Sequence, residues 1–264
     1  MIYVYNSRYL KSRPNDRRVR GYDRMNVRFL SSGDTAIVVE FGDRIDRILS
    51  DRVLKLSTQV RAANLPGVVE TVPTFRSLMV HYDPLITDSV SLIRVIEKLL
   101  HRKSGETGQM KLWRVPACYA TTHAPDLAEV AERTGLFAEE VVRLHSSTRF
   151  HIYMIGFVPG YPYMGDLPEP LTLPRRADPR TRVPAGSIAI ATNMTAIYPL
   201  ESPGGWHLIG TTPIRLFNPY WPRPALFSPG DAVRFEPITV REFESIRAAV
   251  AADTYQVPYE TTGT

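Results

Sequence analysis

The residues whose types suit chemistry gather between positions 145 and 213. His145 closes an apolar helical stretch, and Arg175, Arg176, Arg180 and Arg182 form a basic loop. Tyr161, Tyr163, Ser187 and Trp206 stand among glycines and prolines. Proline fixes φ, so Pro174, Pro179 and Pro184 stiffen the arginine loop. Guanidinium forks presented rigidly match the oxygens of a carboxylate or a phosphate. A histidine beside them supplies an acid, a base or a hydrogen-bond donor. His145 and Arg182 are therefore the catalytic candidates, with Arg175, Ser187, Tyr161 and Tyr163 lining a substrate. Plainer readings stand beside this one: a hydrogen-bonded corner histidine, a solvated arginine rim and, for Trp206, a core ring.

Standard signatures are missing. Gly160 and Gly165 have phosphate-loop spacing, but Asp166-Leu167 occupies the place of the required Lys-Ser/Thr. Ser187 lies in Ala-Gly-Ser-Ile-Ala, which is not a nucleophile elbow. The six histidines are scattered, and no metal site is expected. Residues 126–147 have helix-turn-helix cadence with Gly135 in the turn. The second helix would offer Glu139 and Glu140 to phosphates, so no nucleic-acid partner is expected and both helices should cap a β domain.

The bulk numbers agree. The net charge of +5 comes from residues 1–24, which hold seven basic and two acidic side chains; from Met25 onward the charges balance. Residues 1–24 read as a disordered basic extension, with Met25 a second possible start. No apolar run is long enough to span a bilayer, and nothing at the N-terminus resembles a secretory signal. Cys118 is the one cysteine and reads as a small buried hydrophobe, so a cytoplasmic setting is expected.

The elements that must position these residues divide by proline content. Five of the 22 prolines lie outside residues 115–237. The proline-poor part alternates a strand at 36–41, a helix at 45–60, strands at 68–73 and 77–82, a helix capped by Asp88, and a strand at 110–116. That helix should turn Val90, Ile93, Ile96 and Leu100 inward. The order predicts a ferredoxin-like split βαβ domain over residues 25–116. After two short helices at 126–134 and 138–144, short β runs follow at 150–158, 187–191, 197–200, 207–209, 214–217 and 232–236. They predict a mainly-β sandwich or barrel over residues 117–257. Thr239 to Glu242 opens a C-terminal helix with a capping box, and residues past Val257 should be loose.

The chain resembles the family that includes allophanate hydrolase subunit 1, the B subunit of 5-oxoprolinase and the sporulation-kinase inhibitor. The matching blocks include Gly33-Asp-Thr-Ala, Val72-Pro-Thr-Phe-Arg-Ser-Leu, Gly156-Phe-Val-Pro-Gly-Tyr-Pro-Tyr-Met-Gly, Pro179-Arg-Thr-Arg-Val-Pro-Ala-Gly-Ser and Ser202-Pro-Gly-Gly-Trp-His-Leu-Ile-Gly. The resemblance covers roughly four-fifths of the chain and implies that the β region is a cyclophilin-like barrel. It also implies a homologous second barrel subunit, a third hydrolase subunit and ATP, bound by the complex at an unknown place, for opening 5-oxoproline to glutamate. A histidine-kinase inhibitor and a carboxyltransferase acting on a urea-like amide are the alternatives it carries. Where the family commonly has Gly-x-Gln-Thr-Gly-Ile-Tyr-Pro, this chain has Thr192-Asn-Met-Thr-Ala-Ile-Tyr-Pro. Met194 thus replaces an amide, either altering specificity or simply refitting a strand.

Overall fold

The structure, a computed structural model, describes residues 27–102 and 109–262; the basic stretch 1–24 lies outside them. The first layer comprises β1 (Arg28–Ser31), β2 (Ala36–Glu40), α1 (Arg47–Ala63), β3 (Val68–Pro73), β4 (Ser77–Tyr82) and α2 (Ser89–Leu100). Its sheet runs β1-β2-β4-β3, antiparallel throughout. Asp46 starts α1 by accepting from the Ile48 and Leu49 amides, and Asn64 ends it in the left-handed conformation. Asp88 caps α2 as expected. The buried face of α2 is Leu92, Ile96 and Leu99, while Val90 is exposed. Two apolar stripes lie side by side on this helix, and the pattern alone could not choose between them.

The strand expected to complete this layer belongs elsewhere. β5 (Met110–Cys118) leaves the first sheet and enters the barrel, while β1 fills the outer place beside β2. Leu112, Trp113, Val115, Ala117 and Cys118 are all buried. A strand covered on both faces suits the interior of a larger sheet rather than the edge of a small one.

The second part contains α3 (Leu127–Thr134), α4 (Ala138–Ser147), β6 (Phe150–Ile155), β7 (Pro162–Gly165), β8 (Arg180–Val183), β9 (Ser187–Ala191), β10 (Met194–Ile197), β11 (Ser202–Gly204), β12 (His207–Thr211), β13 (Ala232–Ile238), α5 (Val240–Ala251) and β14 (Tyr259–Thr262). Strands run β12-β9-β10-β7-β6-β13-β5, and a β12–β5 pairing closes seven of them into a barrel. β8 and β11 form a separate ribbon. Three expectations are corrected. The strand placed at 197–200 is 194–197, and 214–217 makes only an isolated bridge through Phe217 to Ala225. The tail expected to be loose pairs with β5 as β14, where Tyr259 meets the Trp113 ring at 4.9 Å. Prolines at these strand ends obscured the alternation.

Side chains alternate across the barrel wall. Ile188, Ile190, Ile197, Ile209, Phe150 and Val233 point into the interior core. Ala189, Ala191, Met194, Ala196, Tyr198 and Leu208 belong to a cluster on the outer face. The period of two in a strand is what makes one sheet serve both. α3 and α4 pack on each other and cover β12 and β13, as the capping reading expects.

Candidate functional site

The predicted residues do not converge on one cavity. The outer face of β7, β10, β9 and β12 has a floor of Ala189, Ala191 and Ala196, with Ala189 and Ala196 directly paired across strands. Small side chains leave a depression, and rings fill it. Tyr161 meets Tyr198 at 5.1 Å, Tyr163 at 4.9 Å and Trp206 at 6.4 Å. Tyr161, Tyr198 and Trp206 are buried, as is Met194, which fills the gap among them. Tyr163 is half-buried and takes an edge contact from Phe75 of the first layer at 5.6 Å. Burial holds the phenols of Tyr161, Tyr163 and Tyr198 above their usual range, so all three stay protonated donors near neutral pH.

The four arginines of the basic loop have separate fates. Arg176 donates to Glu129 at 2.9 Å, and Arg180 donates to Asp126 at 2.5 Å. Asp126 is buried and also accepts from the Leu208 amide at 2.7 Å, so it ties α3, the loop and β12 together. Arg182 is largely exposed and makes a bidentate pair with Glu201 at 3.0 and 2.9 Å. Arg182 therefore faces solvent with its charge already matched, and the geometry gives it no place beside the rings. Arg175 differs. Its guanidinium makes a cation–π contact, 6.0 Å above the Trp206 ring. Its charge also acts on Tyr161, Tyr163 and Tyr198, opposing the effect of burial on each. It is exposed and, among the described residues, without a carboxylate partner.

His145 lies inside the barrel wall, away from this face. Thr195 gives its one hydroxyl proton to the Ala189 carbonyl at 3.0 Å, so it accepts from Nε2–H at 2.9 Å. That leaves Nδ1 to accept from the Tyr119 hydroxyl at 2.8 Å. The ring stacks on Phe235 at 4.6 Å and is completely buried. Burial lowers its pKa to about 3. The acid–base role expected for it has neither a free nitrogen nor access to solvent; it is a neutral post in the core. Ser187 is buried at the start of β9, where its backbone pairs with Thr211. By the alternation along β9 it shares the outer parity of Ala189 and Ala191, at the far end of that face from the strand's other residues.

Sequence reasoning missed Phe75 and Tyr198 as parts of the aromatic face, and Asp126 and Glu129 as the anchors of the arginine loop. Phe75 sits in one of the matching blocks, and Tyr198 in the Ile-Tyr-Pro that the departing block keeps; their signal was position within a motif, not chemistry. Phe157 was missed as well. It is 46% exposed at φ 72, and its ring meets Tyr161 at 5.4 Å.

Residues 27–227 match the family described as carboxyltransferase domain, subdomain C and D. Over 205 residues the chain is 38% identical to the B subunit of 5-oxoprolinase from Escherichia coli O157:H7, covering 78% of this chain and 93% of that one. Over 226 residues it is 33% identical to the protein of the same name from Bacillus subtilis, covering 81% and 94%. Among solved structures it is similar to TTHA0988, at 35% identity and a TM-score of 0.70. That match covers 77% of this chain and 40% of TTHA0988, so the matched part spans less than half of that protein.

Proposed function

Because this chain belongs to the family of the carboxyltransferase domain, subdomains C and D, and of the 5-oxoprolinase B subunit, we propose that it is the B subunit of an ATP-dependent complex that opens 5-oxoproline to glutamate. The complex would include a homologous second barrel subunit and a third hydrolase subunit. We also read the first layer as a ferredoxin-like unit in which β1 replaces the usual last strand. The barrel we read as cyclophilin-like, with the division between domains falling between α2 and β5.

The observation that carries the site is Arg175. Three loop arginines are bound to acids of the chain itself, and the fourth is held over a ring beside three protonated phenols. A small lactam bearing a carboxylate needs a fork for that carboxylate and a donor for its carbonyl oxygen. Arg175 supplies the first and the half-buried Tyr163 hydroxyl the second. Phe75 and Tyr163 give the ring an apolar wall. When bound by the complex, ATP supplies the phosphoryl group that activates the carbonyl. Arg175 itself is exposed at the edge of this face, which suits completion by another subunit. His145 acts in folding and Arg182 on the rim.

The test is glutamate release from 5-oxoproline and ATP by the complex assembled with its partner subunits. Arg175→Ala should raise the KM for 5-oxoproline at least tenfold, and Arg182→Ala should leave it within twofold. Full activity in Arg175→Ala would overturn the site, and a complex without activity on 5-oxoproline would overturn the function.

A further inference from the structure

Two cavities lie to either side of the Lys111 side chain, and none of their lining residues belongs to the Arg175 face. The first, about 390 Å³, is lined by Trp113, Trp221, Tyr255 and Tyr259, with an exposed Arg215–Asp253 pair at 3.5 Å on its rim. The second, about 410 Å³, lies between α1 and the turn before β13, and Lys55, Lys111 and Arg223 line it. Lys111 belongs to the second cavity, yet its ammonium sits 4.0 Å from the Tyr259 ring centre and 5.0 Å from that of Trp113, both walls of the first. One ammonium thus stands where an aromatic chamber meets a basic cleft.

The acids nearby do not cancel this charge. Asp231 spends both oxygens on the Lys111 and Ser228 amides and the Trp113 indole N–H. Arg47, another wall of the cleft, is engaged with Asp166 at 3.1 Å and acts on Asp51. Lys55, Lys111 and Arg223 make no described ion pair. Flat aromatic walls take a planar heteroaromatic ring by stacking, and an array of cations takes a chain of phosphates. A ligand carrying both ends, joined by a few atoms, is a nucleotide. We propose that these neighbouring cavities together bind a nucleoside triphosphate, with the base among Trp221, Tyr255 and Tyr259 and the phosphates against Lys55, Lys111 and Arg223. The function proposed above requires ATP within the complex, and here the nucleotide is assigned to this chain. The two proposals fail separately, because binding is read without catalysis.

The experiment titrates the full chain with ATP, adenosine and inorganic triphosphate, following heat and tryptophan fluorescence. ATP should bind saturably at one site and quench fluorescence, with each fragment at least tenfold weaker. Lys111→Ala and Lys55→Ala should weaken ATP and triphosphate tenfold or more and leave adenosine unchanged. Trp221→Ala should weaken ATP and adenosine and leave triphosphate unchanged. Melting curves matching the parent keep these variants interpretable, and Lys55, on the half-buried face of α1, serves if Lys111→Ala misfolds. Absence of saturable ATP binding would overturn the proposal. So would triphosphate binding as tightly as ATP, or ATP affinity indifferent to Lys55→Ala and Trp221→Ala alike. None of these results bears on the Arg175 assay, which has its own readout in KM.

Discussion

Lowering the pH from about 7.5 to about 5.5 should destabilise the folded chain by about 3 kcal/mol through two histidines alone. His145 and His151 are both buried, and burial lowers each pKa to about 3; the charges of Arg47 and Arg149 add to the effect on His151. In the unfolded chain both rings take up a proton near pH 6.5. Between about 6.5 and 3, unfolding therefore consumes protons, and the stability these rings contribute is complete above 6.5 and drains away as the pH falls. The slope is about 1.4 kcal/mol per pH unit per ring, so two rings lose about 3 kcal/mol at one unit below 6.5. Against a total of about 5–15 kcal/mol that loss is easily measured. Urea unfolding at constant ionic strength between pH 5.5 and 7.5 gives the slope before most carboxylates titrate. About two protons should be taken up per molecule at the acid end. His145→Gln offers an acceptor to Tyr119 and a donor to Thr195, so it should fold and reduce the uptake to about one. Uptake below one proton in the parent, or no change in His145→Gln, would refute the buried neutral histidine. The same variant should also keep its activity, since no step uses the ring.

Other perturbations have outcomes set by the same contacts. Arg175→Ala removes a charge-assisted contact worth about 1.5–3 kcal/mol in substrate binding, read as KM, and leaves the melting temperature unchanged. Arg182→Ala breaks an exposed pair with Glu201, which is worth about 0–1 kcal/mol, so thermal and kinetic measurements should both stay near the parent. Asp126→Ala should cost about 3 kcal/mol in urea unfolding, because Arg180 and the Leu208 amide lose a common buried acceptor. Gly186→Ala should be among the most damaging glycine substitutions: the position has φ +84, and the new Cβ would lie 2.4 Å from the Thr212 carbonyl oxygen. Reduced soluble yield and a lower urea midpoint would register it.

Much of the architecture was legible along the chain. The Asp88 and Thr239 caps and the strand at 187–191 appear where residue type and period placed them. The site was only half legible. Tyr161, Tyr163 and Trp206 do gather on one face, but as packed rings, and the arginine loop that looked like a single electropositive device is three internal ion pairs and one unspent cation.

Local order was written in the sequence, because caps, turns and alternation depend on torsions and neighbours within a few residues. The chain thereby determined its helices, most of its strands and the family to which it belongs. Tertiary structure decided the rest. Whether Met110–Cys118 joins the small sheet or the barrel depends on which edges are free when the two layers meet. Whether His145 is an acid or a post, and which arginine keeps its charge, depends on partners such as Thr195 and Asp126, 50 and 54 positions away. Desolvation and ion pairing are properties of an assembled interior, and no stretch of residues carries them before the chain closes on itself.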